Sequence, residues 1–414
     1  MKVLLYGGGA REHTMAWKIN SSPLLSKLYL SKPNDGFAGL GEILEAESFA
    51  DLAIKAKNEN IDLLVVGPEE PLANGIVDEF NRHGIACIGP NKKWAMLESS
   101  KSFAKEFMVR NNIPTASYAV LQDENQIESV LNDVNYPVVI KADGLAAGKG
   151  VKIVNSKQEA EESIKEYIGG CFGEASKKIL IEEFLEGEEI SLISIWDGKT
   201  LLPLIPARDY KRLLNDNQGP NTGGMGAYCP VHLTEEEKNS INNYIKTLEN
   251  ALLEEQADFA GIVYSGLMMT KQGLKVLEYN MRFGDPETQP LLTHLESDLL
   301  SVFVMTISKQ LDKIKLSWKP GTSMCLVIAA NGYPYDPVKN GEIRNIEEIK
   351  EKFGVNVFFA GVKKENGKLL ANGGRILSIC KTDADADVYS AAEALLFDDK
   401  CYRTDIGNFA GIKG

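Results

Sequence analysis

The run VVIKADGLAAGKGVKIV gathers residues suited to binding a polyphosphate: Lys141 lies in an apolar, strand-like segment that leads into Gly144, Gly148, Lys149 and Gly150. Glycine-rich backbone lets amide N–H groups approach phosphate oxygens, and the lysines supply the opposing charge. A plain β-hairpin with a flexible turn would have the same glycines, so it is the lysines that favour the anion-binding reading. No G-x-x-x-x-G-K-[ST] occurs, and a second strand follows where a helix would, which excludes a Walker loop. No H-R-D or D-F-G completes a protein-kinase constellation.

A second group lies in KVLEYNMRFGDPETQP. Glu278 and Asn280, two apart on a strand, project from one face. Such a pair suits Mg2+, which keeps waters and takes phosphate oxygens as its other ligands. The wet face of an edge strand would look the same. Next come Arg282, Gly284, Asp285 and Glu287, a crowding of charge that is costly unless it is used. Arg282 is read as a clamp for a carboxylate or phosphate. Asp285 either accepts hydrogen bonds from an amine or caps a helix before Pro286.

Three further segments are polar in a patterned way. In IEEFLEGEEISL, Glu182 and Glu183 close one strand, and Glu188 and Glu189 open the next around Gly187. That is either a nucleotide-binding connection or a solvated acidic hairpin. ARDYKRLLNDNQGPNTGGMGAYCP is either a binding loop, with Gly223 and Gly224 permitting close ligand approach, or a disordered connector. Gly7, Gly8 and Gly9 between a strand and a helix, with Arg11 beside them, form an anion site in principle. As a dinucleotide fingerprint the motif is incomplete, because Glu12 stands where the third glycine belongs.

These residues need elements to hold them. Short apolar runs alternate with helical periods through residues 1–100, which predicts an open parallel α/β sheet with its glycines and prolines at strand ends. From Asn91 the pattern becomes one helix, KKWAMLESSKSFAKEFMVRN, then a small antiparallel sheet bearing the glycine loop. A long acidic helix after Thr234 precedes the strand pair GIVYSGLMM and GLKVLEYNM, and a β-rich segment starts near Thr322. The expected divisions are 1–100, 101–190, 191–321 and 322–414.

The formal net charge of −13 argues against a nucleic-acid partner, and no run approaches the roughly 20 apolar residues that span a bilayer. The first residues read as a strand rather than a signal peptide, which predicts a cytoplasmic protein. Six scattered cysteines and four histidines form no zinc pattern. Cys229 is read as a packing residue. Oligomeric state is not legible, and a monomer is compatible with everything above.

In order along nearly the whole chain, GGGAREH, VGPEEPLANGIVD, SSKSFAKEF, VVIKADGLAAGKGV, IEEFLEGEE, GPNTGGMGAY, EYNMRFGDPETQ, ANGGR and YRTDIG resemble the phosphoribosylamine-glycine ligases, an ATP-grasp family of purine biosynthesis. The resemblance implies a Rossmann-like N-terminal domain, two ATP-grasp subdomains with ATP between them, and a C-terminal β-rich domain. It implies that Lys101 and Lys141 contact ATP phosphates, helped by Gly144, Gly148, Lys149 and Gly150. Glu182, Glu183 and Leu185 would meet adenine around the hinge, Glu188 the ribose, and Glu278 with Asn280 the Mg2+ or Mn2+. Glycine and 5-phosphoribosylamine would be met by Gly9, Arg11, Glu12, Asp209, Lys211, Gly223, Gly224, Arg282, Asp285 and Arg375, with Arg11 and Arg375 on the 5-phosphate. Lys141, Arg282 and Asp285 would carry the chemistry.

Two departures stand out. ARDYKR replaces a Q-D-H-K-R-like run common in the family, changing Arg208 and Tyr210, and Ala10 stands where glycine is frequent. The strand GIVYSGLMM also lacks the carboxylate that many ATP-grasp enzymes use for metal. The implied reaction is attack of the glycine carboxylate on the γ-phosphorus to give glycyl phosphate, then attack by the amine. Alternatives are another ATP-grasp ligase such as a carboxylase subunit, an oxidoreductase resting on Gly7 to Gly9, and a silent nucleotide sensor.

Overall fold

Side chains alternate across a strand, so the unbroken apolar run Val3, Leu4, Leu5 can be buried only if both faces of its sheet are covered. The computed structural model, which describes residues 1–145, 150–171, 173, 178–383 and 385–407, covers both. Val3 and Leu5 face Leu291, Leu300 and Phe303, while Leu4 faces Leu52, Ile76 and Phe80. The sheet is parallel throughout, in the order Glu42–Ile43, Lys27–Ser31, Lys2–Tyr6, Leu63–Val66, Ala86–Ile88. This is the open α/β arrangement expected of the first hundred residues.

Two antiparallel sheets follow. Tyr118–Leu121, Ile179–Glu183, Val138–Ala142 and Val151–Val154 form the smaller, which packs helices Ile127–Asn132 and Lys157–Ile168 around a core of its own. Leu201–Pro203, Gly187–Trp196, Gly261–Thr270 and Gly273–Asn280 form the larger. Against it lies helix Glu235–Glu254, which starts in a capping box: the Glu237 amide donates to Thr234 Oγ1 (3.3 Å) and the Thr234 amide to Glu237 Oε2 (2.7 Å). Its three first-turn glutamates sit at the positive end of the helix dipole.

The largest sheet has six strands and runs Arg208–Asp209, Gly226–Cys229, Ser323–Ala330, Arg375–Thr382, Asn356–Phe359, with Lys400–Cys401 also paired to Ser323–Ala330. Two of its strands come from before residue 322, so this β-rich layer holds the ARDYKR and GGMGAYCP segments. Neither is a disordered connector. Cys229 is buried among apolar residues, and burial raises its thiol pKa, as suits a packing residue.

Two local expectations need correction. The single helix expected after Asn91 is two, Lys92–Ser99 and Lys101–Arg110, broken at Ser100, whose Oγ accepts the Phe103 amide at 3.2 Å. A serine competes with helix continuation by capping, so the break creates a second N-terminus beginning at Lys101. The acidic run around Gly187 is no hairpin either. Its two flanking strands belong to different sheets, and the segment is the crossing between them.

His13 joins the first helix, Ala10–Asn20, to the far β-layer. Its Nδ1 accepts the Phe359 amide at 2.8 Å, and its ring stacks on Phe37 with centroids 4.8 Å apart. Burial, aided by the charge of Lys350, lowers its pKa from 6.5 to about 4. A depressed folded-state pKa contributes stability above the unfolded value, and this is lost as pH falls through about 4, for a total of about 3 kcal/mol. His13→Gln is therefore expected to lose less melting temperature between pH 7 and pH 4 than the parent. Parallel declines in thermal melts would remove this role.

Candidate active site

The break at Ser100 aims the start of helix Lys101–Arg110 at the glycine segment. Asp143, just past strand Val138–Ala142, receives the Ser102 amide on Oδ1 (2.6 Å), and Lys101 Nζ donates to the Gly144 carbonyl (2.9 Å). The Ala142 amide donates to Gly150 O at 2.8 Å, closing the base of the loop. Gly148 and Lys149 lie outside the described residues. Lys141 Nζ reaches Glu182 Oε2 at 2.9 Å on the neighbouring strand, and Lys105 Nζ reaches the same oxygen at 3.0 Å.

Lys105, Lys141 and Glu182 are buried, and Lys101 is half-buried. Burial lowers the pKa of Lys101, with Lys141 adding repulsion, and burial likewise lowers that of Lys105. For Glu182, burial opposes ionisation, but Lys141 and Lys105 outweigh it and hold the carboxyl below its usual range. Glu182 Oε1 is buried with no hydrogen-bond partner among the described residues. Among the described residues that atom is left free to accept a further hydrogen bond.

Along the crossing, Glu183 Oε2 accepts from the Ser117 amide (3.2 Å) and Lys275 Nζ (3.1 Å). Leu185 packs with Ala116 and Met268. The exposed Glu188 pairs with Arg208 Nη2 at 2.5 Å, and Glu189 pairs with Lys211. The connection thus has both side chains and backbone fixed at the junction of the two sheets.

Across the junction, Glu278 lies opposite Gly266 and makes no hydrogen bond or ion pair with the described residues. Burial disfavours its charge, yet Lys211, Lys141, Lys101 and Arg282 together hold its carboxyl below the usual range. Asn280 Oδ1 accepts from Arg282 Nη2 at 3.2 Å. Among the described residues no group of three His, Cys, Asp or Glu converges as a protein-only metal cage. One uncommitted carboxylate and one amide oxygen facing lysines fit a hard cation that takes its other ligands from phosphate and water. Asp209, near Glu287, Glu189 and Glu278, is raised from 3.8 to about 7, first by burial and then by those carboxylates against the pull of Lys211.

Arg282 is engaged from the N-terminal side. Its Nη2 lies 2.9 Å from Glu98 Oε1 and its Nε 3.3 Å from Glu69 Oε2, and Glu98 Oε2 accepts the Met281 amide at 2.7 Å. Arg11 is buried, with Nε on Glu12 Oε1 (2.6 Å) and Nη1 on Phe283 O (3.1 Å). The other Glu12 oxygen accepts the Gly9 amide at 2.7 Å. A side chain at Gly7 or Gly67 would collide with Glu12. The anion site at this helix start is therefore filled by the chain's own carboxylate, which removes the basis for a dinucleotide site there.

Asp285 does not cap the helix Thr288–His294, whose N-cap is Glu287. Its Oδ2 meets Arg375 Nη2 at 2.8 Å and its Oδ1 meets Gln289 Nε2 at 2.8 Å. Burial opposes its charge, but Arg375 and Arg11 hold the carboxyl low. Arg375 Nη1 also donates to Gly223 O (2.7 Å) and Asp285 O (3.0 Å), and the Gly223 amide donates to Tyr333 Oη (2.9 Å). Gly224 has φ +109°, and a Cβ there would collide with Pro286, so this turn requires glycine.

Family models match the chain in three consecutive pieces: phosphoribosylglycinamide synthetase N domain over residues 1–98, its ATP-grasp (A) domain over 99–288, and its C domain over 323–409. A phosphoribosylamine–glycine ligase of Brucella melitensis is 42% identical over 98% of this chain and 97% of its own. One from Clostridium acetobutylicum is 43% identical over 98% and 99%. The chain belongs to the phosphoribosylglycinamide synthetase family. The crystal structure of a phosphoribosylamine–glycine ligase from Thermotoga maritima superposes with a TM-score of 0.84 at 32% identity, covering 98% of this chain and 100% of that one. The biotin carboxylase domain of Hydrogenobacter thermophilus 2-oxoglutarate carboxylase, solved with ADP, its magnesium salt and bicarbonate, shares the fold at a TM-score of 0.72 and 18% identity, over 96% and 91%.

With the family in hand, the residues that sequence reasoning passed over are the partners of those it chose. Lys105 lies four residues beyond Lys101, one helical turn on, and that spacing was a usable signal. Gln289, four residues after Asp285, offered the same spacing, whereas Glu69, Glu98 and Tyr333 gave none, since each meets its partner from a distant part of the chain.

Proposed function

We propose that the chain is an ATP-dependent ligase joining the glycine carboxyl carbon to the amine of 5-phosphoribosylamine, with release of ADP and phosphate, in purine biosynthesis. The reading rests above all on Glu278, an uncommitted carboxylate held ionised by Lys101, Lys141 and Lys211 in a chain alike over 98% of its length to named ligases. It places the protein in the cytoplasm, and no helix among the described residues is long and apolar enough to cross a membrane.

A carboxylate is a poor electrophile, so one of its oxygens must first become part of a leaving group. In this reading the glycine oxygen attacks the γ-phosphorus, ADP departs, and the amine nitrogen then displaces phosphate from the acyl carbon. Lys101 and Lys141, with Gly144 and Gly150 beside them, neutralise the phosphates. Gly148 and Lys149 are assigned there by resemblance alone. Glu182, Glu183, Leu185 and Glu188 line the adenosine side. Glu278 and Asn280 would hold Mg2+, or Mn2+ in its place, which supplies further charge neutralisation at the phosphates.

Asp285, kept ionised by Arg375, is a ready acceptor for an amine. Lys211, Asp209, Gly223 and Gly224 are assigned to the substrate side, as is Arg375. Arg282 is fixed by Glu69 and Glu98 with its guanidinium next to Asn280, so it steadies charge beside the metal. Arg11, Glu12 and Gly9 act as a buried strut behind it. The four-part division assigned from sequence then has a purpose: ATP lies between the two antiparallel sheets, joined at residues 183–187.

The test is ADP release with ATP, glycine and freshly made phosphoribosylamine, omitting each in turn, with glycine labelled by heavy oxygen in its carboxylate. Full turnover only with all three, and one labelled oxygen in the released phosphate, is expected. Turnover with bicarbonate replacing glycine would favour a carboxylase instead. AMP and pyrophosphate as products would overturn the acyl-phosphate route.

A further inference from the structure

The motif YRTDIG has no place in the chemistry above, yet its arginine is among the most buried charged side chains of the protein, with 1% exposure. Arg403 Nε and Nη2 pair with Asp405 (2.7 and 2.5 Å). Its Nη1 donates to the Arg212 carbonyl (3.0 Å) and to Asn217 Oδ1 (3.2 Å), and its guanidinium carbon lies 4.8 Å from the centre of the Tyr210 ring. The Asp216 amide donates to Asp405 Oδ2 (2.9 Å), Asn215 and Thr404 exchange two hydrogen bonds (2.6 and 2.9 Å), and the Gly407 amide donates to Tyr210 Oη (3.2 Å). Apart from the Arg403–Asp405 pair, each of these contacts joins the segment 403–407 to one hairpin, residues 210–221.

That hairpin leads into the site. The Lys211 carbonyl, one residue before the one Arg403 grips, accepts both the Thr222 amide (2.8 Å) and Thr222 Oγ1 (2.9 Å). Thr222 Oγ1 in turn accepts the Gly224 amide at 3.0 Å, and Gly223 O is held by Arg375. Among the described residues, Arg212–Leu214 and Gln218–Asn221 pair only with each other, in a two-stranded sheet with a register irregularity. A two-stranded ribbon is marginal by itself and needs an external clasp.

We infer that Arg403 is a positioning residue: through the Arg212 carbonyl, Asn217 and Tyr210 it sets the hairpin that presents Lys211 and the Gly223–Gly224 turn to the amine substrate. Asp405 fixes the guanidinium orientation and takes one hairpin amide itself. Lysine cannot replace this arrangement, because a point charge lacks the planar fork that addresses three acceptors at once. The ATP-side residues Lys101, Lys141 and Glu182 to Leu185 belong to other elements and do not touch the clasp.

The inference rests on the proposed reaction for its kinetic arm and on hydrogen exchange for a second arm that does not. Arg403→Ala and Arg403→Lys are expected to raise KM for phosphoribosylamine by about tenfold or more while KM for ATP stays within about twofold, the loss of charge-assisted hydrogen bonds being local. Amides of Asp216, Thr222 and Met225 should exchange faster, and those of strand Val138–Ala142 should not. If Arg403→Ala does not accumulate as folded protein, Asn215→Ala, at an exposed position, should shift the same amides and the same KM in the same direction by less. Equal changes in both KM values, or hairpin amides as protected as the parent's, would overturn the inference. A parent enzyme inactive with phosphoribosylamine would refute the functional reading and leave the exchange result to judge the clasp.

Discussion

Glu278→Gln is expected to lower kcat by about 10²- to 10³-fold, the scale seen when one charge-stabilising group leaves an active site, with little change in melting temperature. The contrast follows from the carboxylate's surroundings. Glu278 makes no hydrogen bond or ion pair with the described residues, so an amide of the same shape leaves no partner stranded. What disappears is a negative charge facing Lys211, Lys141, Lys101 and Arg282. With it goes the strongest oxygen donor for a divalent cation. Raising Mg2+ or substituting Mn2+ should restore little of the rate, because glutamine remains a weak ligand at any concentration. Steady-state turnover at saturating glycine and phosphoribosylamine, across a metal titration, measures this. Activity within about twofold of the parent would end the metal assignment, given the scale expected of such a group.

Much of this site was legible because its signals are local. Lys141 beside three closely spaced glycines, and Glu278 two residues from Asn280, declare themselves through local spacing, which for the second pair the strand period turns into a shared face. The parallel N-terminal sheet was legible in the same way, from apolar runs such as KVLLY that make sense only when covered on both sides. Other features depend on contacts between distant residues. Ser100 looks like an ordinary helical residue until Asp143, 43 positions later, is seen receiving its hydroxyl, and the helix breaks there. The glutamates around Gly187 have the composition of a wet turn, and only strand pairing shows that they bridge two sheets. Arg11 and Arg375 were chosen as guanidiniums beside glycines. Both lie near the cleft, but each spends donors on the protein, Arg11 on Glu12 and Phe283, Arg375 on Asp285 and Gly223. Sequence spacing reports what a residue can do and is silent on which partner reaches it first.

That silence matters most at Lys141, whose partner complicates the obvious experiment. Lys141→Ala is expected to weaken ATP binding and to lower kcat by about 10²-fold or more, since a cation beside the phosphates serves ground and transition states alike. It should also destabilise the fold, because Glu182 is buried and loses one of its two lysines, leaving only Lys105 on a shared oxygen. Breaking one side of such a buried pair typically costs about 3–5 kcal/mol, and the surviving Lys105 should keep the loss toward the lower end. The two effects separate when the whole buried charge cluster is removed. Lys141→Met with Lys105→Met and Glu182→Gln leaves no unpaired charge at this place and should recover part of the lost stability. Turnover should stay as low as in the single variant, since methionine offers the phosphates no charge. Thermal melts, ATP titration and turnover on the parent, the single variant and the triple variant give the answer. If activity returned together with stability in the triple variant, Lys141 would be a structural lysine, and its place in phosphoryl transfer would have to be given up.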